Sequence, residues 1–158
     1  MKKITNILIL LLVNLMALVT HASICSEYAF DLSGRNGFLH SNPAQVYQLC
    51  GPSQSIAPVD CYFETIKQSN NGYAANNKVE VVRLCRLADS NGPSNCYTDA
   101  VKRSYRGYLR DGQYLAINKN EAITLCSRAR DNSPVDCYYD QVAGGAHLTN
   151  AVRNCSLR

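Results

Sequence analysis

The chain has 158 residues and is poor in several residue types: it has no tryptophan, two methionines, three phenylalanines and three histidines. So few imidazoles leave little for metal ligation or acid–base pairing. There is no Gly-x-Ser-x-Gly elbow, so the common serine hydrolase lacks its signature. There is no His-Glu-x-x-His, no Cys-x-x-Cys and no glycine-rich phosphate loop, so neither a metal nor a nucleotide cofactor is expected. Charged residues are 18% of the chain and the net charge is +4, a weak basis for nucleic-acid binding. Beyond the N-terminal block, no apolar run approaches the ~18 residues of a membrane helix. The length suits one domain, and a hydrophobic fraction of 46% excludes general disorder.

What is present begins with a leader. Lys2 and Lys3 precede an apolar stretch, Ile7 to Val19, broken only by Asn14, and Thr20-His21-Ala22 offers small residues at −3 and −1 of a cleavage site. Residues 1–22 read as a secretory signal peptide. Ile24 before Cys25 is not the small residue that lipid attachment requires. The short n-region has a bacterial look, so the mature chain, 23–158, is expected in a periplasm, where disulfides form, and then outside the cell. Without Lys2 and Lys3 it carries 14 basic and 12 acidic residues, net +2.

All eight cysteines lie in that mature chain. Three pairs are separated by the same ten residues: Cys50 to Cys61, Cys85 to Cys96 and Cys126 to Cys137. Within each spacer a proline holds one column (Pro58, Pro93, Pro134), and Asp60, Asn95 or Asp136 closes it. Leu49, Leu84 and Leu125 precede the first cysteine, and Tyr62, Tyr97 and Tyr138 follow the second. Coincident columns at fixed spacing mark an internal repeat. Proline is favoured at a helix start and acid near it meets the positive end of the dipole, so each proline is expected to open a helix. Val81, Val82, Leu84 and Cys85 fall at helical spacing, as do Ala122, Ile123, Leu125 and Cys126, and then Ala151, Val152 and Cys155. Asn118 with Glu121 resembles a capping box.

The frame that runs from a helix-opening cysteine to the next helix-closing one gives four units: 25–50, 61–85, 96–126 and 137–155. Each reads as helix, turn, helix, with Gly and Asn collected in the middle. In an antiparallel hairpin the first turn of one helix lies beside the last turn of the other, which pairs Cys25 with Cys50, Cys61 with Cys85, Cys96 with Cys126 and Cys137 with Cys155. The alternative closes each spacer (50–61, 85–96, 126–137) and joins Cys25 to Cys155; eight cysteines allow many pairings. The expected fold is all-α, four disulfide-stapled helical hairpins stacked as a short repeat array. The repeat tyrosines are expected to pack between hairpins.

For chemistry, Asp136, Asp140 and His147 could form a non-standard hydrolase site in the last unit. The acidic positions recur across units, as Asp60 and Glu64 do, which favours a structural role at helix N-termini. One stretch departs from the repeat: Lys102, Arg103, Tyr105, Arg106, Tyr108 and Arg110 place four positive charges and two tyrosines in nine residues without an acid. If its helix continued past Gly107, Arg103, Arg106 and Arg110 would share a face. Charge is uneven: −2 over 23–77, +5 over 78–130 and −1 over 131–158, with Arg83, Arg86, Lys119, Arg128 and Arg130 adding to the central excess. Guanidinium forks suit phosphate, sulfate or carboxylate, so an anionic lipid head group or an acidic polysaccharide is the expected ligand class.

Leu-Cys-x10-Cys-Tyr with Pro-Val-Asp before the second cysteine, as in Pro58-Val59-Asp60-Cys61-Tyr62 and Pro134-Val135-Asp136-Cys137-Tyr138, resembles small cysteine-repeat proteins exported by Gram-negative bacteria. Some of these resemble type II secretion substrates of intracellular pathogens. The second repeat, Pro93-Ser94-Asn95, departs from the pattern. The resemblance implies an exported, helical, disulfide-stabilised protein and supplies no catalytic residues. The functional expectation is a secreted, non-enzymatic binding or effector protein, its partner a membrane lipid, a polysaccharide or a host protein. The alternatives are a small hydrolase or a periplasmic inhibitor.

Overall fold

Eight helices fill most of the described residues of the computed structural model, which are 23–34, 37–68, 77–105, 109–110, 113–114 and 116–156. The expected signal peptide, residues 1–22, lies outside them. The helices are α1 (Ile24–Ser33), α2 (Pro43–Cys50), α3 (Ala57–Gln68), α4 (Lys78–Cys85), α5 (Gly92–Tyr105), α6 (Lys119–Cys126), α7 (Ser133–Ala143) and α8 (Leu148–Cys155). Pro58, Pro93 and Pro134 are each the second residue of a helix, where a missing N–H leaves no helical bond unmade. Side chains cap other starts. The amide of Ser26 donates to Ser23 Oγ at 3.2 Å, and that of Val79 to Asn77 Oδ1 at 3.0 Å. The capping box is formed: the Glu121 amide donates to Asn118 Oδ1 at 2.9 Å, and the Asn118 amide to Glu121 Oε2 at 3.1 Å.

The all-α expectation holds, with one small addition. Two strands of two residues each, β1 (Leu109–Arg110) and β2 (Gln113–Tyr114), pair antiparallel in the connection of the third unit. They correct the idea of a helix running through Arg110, because α5 ends at Tyr105. Glycine at 107, two positions beyond α5, is a poor residue for continuing a helix.

Disulfides join Cys25–Cys50, Cys61–Cys85, Cys96–Cys126 and Cys137–Cys155, with Cα atoms 5.6 to 5.7 Å apart. Each staples the start of one helix to the end of its partner, as hairpin geometry requires. Within the array, α1, α3, α5 and α7 contact in sequence, and so do α2, α4, α6 and α8, giving two rows of helices. The leucines before Cys50, Cys85 and Cys126 are fully buried. The repeat tyrosines pack in the same core: Tyr62, Tyr97 and Tyr138 are 3%, 1% and 0% exposed. This burial pushes the phenols of Tyr62 and Tyr138 up to about 12, with the Glu121 carboxylate adding to the effect at Tyr138. Among the described residues, no helix is long and apolar enough to cross a membrane. Four disulfides are compatible with an extracellular or periplasmic location.

Candidate functional site

Each unit passes to the next through a short linker, and the three linkers open alike. The amides of Ser53, Ala88 and Ala129 donate to the carbonyls of Cys50, Cys85 and Cys126, at 2.9, 3.0 and 2.9 Å. The same turn in three places follows from the same spacing after the cysteine. Because α4 packs on α6, the linkers that leave these helices lie side by side. Gly92 tightens the junction: a Cβ there would fall on the backbone carbonyls of Ala129 and Arg130.

The linker charges differ. The first linker has no arginine, whereas the second carries Arg86 and the third Arg128 and Arg130. With Arg83 from α4 they line a groove of about 620 Å³ between the second and third units. Arg83 Nη2 donates to Thr124 Oγ1 on α6 at 3.4 Å, across the floor. Arg130 pairs with Asp89 at 3.3 Å, both well exposed. Among the described residues no ion pair engages Arg83, Arg86 or Arg128. Three guanidinium groups without a carboxylate partner among the described residues thus line one concave surface, an arrangement suited to a multivalent anion.

A second groove of about 530 Å³ adjoins the first, sharing Arg83, Arg86 and Leu87. Its other walls include Tyr47 and Val79, which are 76% and 46% exposed, beside Leu87 at 49%. Basic and apolar surfaces are continuous here.

The basic run of the third unit is distributed differently from the expected patch. Lys102 is half-buried and lines a shallow groove with Asn95, Arg130 and Asp131. Arg103 is committed to the fold. Its guanidinium pairs with Asp99 and with Asp136, each at 2.8 Å, and sits 5.7 Å from the Tyr139 ring centre. Burial works against its charge, but the hydrogen bonds to Asp136 and Asp99 outweigh it, so its proton is held more tightly than usual. Tyr105 closes α5 and Arg110 belongs to β1. Arg106 and Tyr108 lie outside the described residues.

In the last unit Asp136 and His147 stand at opposite ends of the helical hairpin. Asp136 is paired with Arg103 from the preceding unit. His147 is exposed at the start of α8, and the seven residues that follow Asp136 to the end of α7 span about 10 Å of helix. His40 stands apart in the first unit, edge-on to Phe30 at 6.2 Å. Asp131 serves a helix start: the Ser133 hydroxyl and amide hold its carboxyl below the usual range. Among the described residues no three His, Cys, Asp or Glu side chains form a set that could hold a metal ion.

The arginine groove was only half visible in the sequence. Its arginines belong to the central charge excess, but their meeting depends on the stacking of linkers that are far apart in sequence. Comparison with protein-family models, with curated proteins and with solved structures returns no match.

Proposed function

We propose that the mature chain is a non-catalytic binding protein, exported through a periplasm where its disulfides form and acting beyond the cell, and that it recognises an anionic ligand through the groove of Arg83, Arg86 and Arg128. The observation that carries this reading is three guanidinium groups, none engaged by a described carboxylate, on one concave surface between two units. Guanidinium forks match phosphate, sulfate and carboxylate, the groups displayed by anionic lipids, acidic polysaccharides and acidic proteins. The leader, the cysteine repeat and its resemblance to exported cysteine-repeat proteins support the compartment and an effector role. The basic run from Lys102 to Arg110 is the second candidate for the anion contact.

The experiment is binding of heparin and of phosphatidylglycerol vesicles to the oxidised mature protein, at low and at physiological salt. Charge reversal at Arg83, Arg86 and Arg128 should abolish binding while near-ultraviolet circular dichroism stays unchanged, because all three side chains are exposed. Reversal of Arg106 and Arg110 tests the second surface and leaves the Arg103 contacts intact. Binding indifferent to the three groove changes would remove the proposal, whatever the Arg106 and Arg110 changes do.

A further inference from the structure

Resting on that reading of the arginine groove, we infer that its ligand is an extended acidic segment of another polypeptide with an apolar side chain among its carboxylates. Three observations lead to a peptide.

The first is the continuity of the two grooves. Arg83, Arg86 and Leu87 belong to both. A ligand that reaches the arginines from this side lies against Tyr47, Val79 and Leu87. A polyanionic sugar or a lipid head group would leave the aliphatic side chains Val79 and Leu87 without a partner. An acidic peptide with one aliphatic or aromatic residue satisfies both halves, and its charge is complementary to the four arginines and single aspartate of the basic half.

The second is reach. The surface runs from Tyr47 in the first unit, past Arg83 and Arg86 in the second, to Arg128 in the third. Packed helices lie 8–10 Å apart, so two steps along a row cover about 20 Å. Extended chain rises about 3.3 Å per residue, so about six residues would fill it. The concave floor also disfavours a bilayer, which meets rims more readily than grooves.

The third is Leu87 itself. It has φ of 54°, the single positive φ outside glycine among the described residues. Glycine adopts that conformation without strain, whereas leucine does not. The Leu87 amide donates to the Leu49 carbonyl of the first unit at 2.9 Å, which fixes the turn, and its side chain stands half exposed between the grooves. Strained residues persist where the surroundings hold them and where the displayed group is used. Here the displayed group is an apolar contact at the joint of the two surfaces.

The test is fluorescence anisotropy with a labelled synthetic peptide of about ten residues, glutamates flanking a central leucine, against the oxidised mature protein. A second peptide replaces that leucine with alanine. Heparin and phosphatidylglycerol vesicles serve as competitors. The leucine peptide should bind about tenfold more tightly than the alanine peptide. That preference should vanish in Leu87→Gly and in Tyr47→Ser, two variants at exposed side chains, while heparin still binds both. Arg83→Glu with Arg86→Glu should abolish binding of every probe. Equal affinity for the two peptides, with heparin binding still dependent on the arginines, overturns the peptide inference and leaves the anion reading standing. Vesicles that bind more tightly than the leucine peptide and displace it make the occupant a membrane and overturn it as well. Indifference of all probes to the arginines overturns both.

Discussion

Arg103 allows the sharpest separation of fold from function. Its guanidinium joins α5 to α7 and so couples the third unit to the fourth. Replacing it with methionine keeps most of the alkyl stem and removes the charge. Three losses follow. The pair with Asp99 is i,i+4 with the acid on the N-terminal side, both side chains about a quarter exposed, and is worth about 1 kcal/mol. The pair with Asp136 is discounted because that carboxylate is 59% exposed, leaving about 0.5 kcal/mol. The contact with the Tyr139 ring adds about 0.5 kcal/mol. Arg103→Met should therefore destabilise the oxidised protein by about 2 kcal/mol. Urea unfolding at low ionic strength reads this as a lower midpoint at unchanged slope. The same change in an Asp136→Asn background should be smaller by about 0.5 kcal/mol, the coupling across the units. A loss below about 0.5 kcal/mol, or the same loss in both backgrounds, would refute the clamp. Heparin binding by the folded variant should remain.

Three further outcomes follow from the same structure. Replacing Cys96 and Cys126 together by serine opens a closure of 30 residues and should lower stability by about 3.5 kcal/mol, slightly more than loss of Cys137–Cys155, which closes 18; a peptide map showing cystines within the ten-residue linkers would overturn the unit frame itself. Tyr62 and Tyr138 should ionise near pH 12. Since their folded values lie above the unfolded value near 10, their contribution to stability is complete below pH 10 and is lost as the pH rises toward 12; a phenolate absorbance titration with one step near 10 would contradict this. Gly92→Ala drives a methyl into the Ala129 and Arg130 carbonyls and should cost about 1–3 kcal/mol; an unchanged urea midpoint would mean that the linkers are less closely joined.

The frame of the fold could be read from the sequence because cysteine, proline and leucine recur in fixed columns and each has one strong physical preference. Proline opens helices, leucine at helical spacing seeks the core, and a hairpin brings its first and last turns together. Pro93 followed this rule although Ser94 and Asn95 break the pattern of the other two repeats. The site was less legible because charge has no such local signature. Arg83 and Arg128 are 45 residues apart, and only the stacking of α4 on α6 makes them neighbours. Arg103 looked like a ligand group because it sits in a basic run. Its partners, Asp99 and Asp136, come from its own helix and from the next unit, and nothing local distinguishes a paired arginine from a free one. Repeats superpose their linkers, and linkers two and three carry arginine one and two residues after the cysteine, at 86 and 128, so the groove follows from stacking and not from a shared column.

The central claim is that anion recognition belongs to the surface where the second and third units meet. Amide chemical-shift mapping of the oxidised, isotope-labelled mature protein during titration with a short heparin oligosaccharide tests it directly. The account predicts the largest shifts at Arg83, Arg86, Leu87, Thr124 and Arg128, with α7 and α8, which do not line the groove, unmoved. Shifts concentrated at 102–110, or spread over the surface without focus, would contradict it.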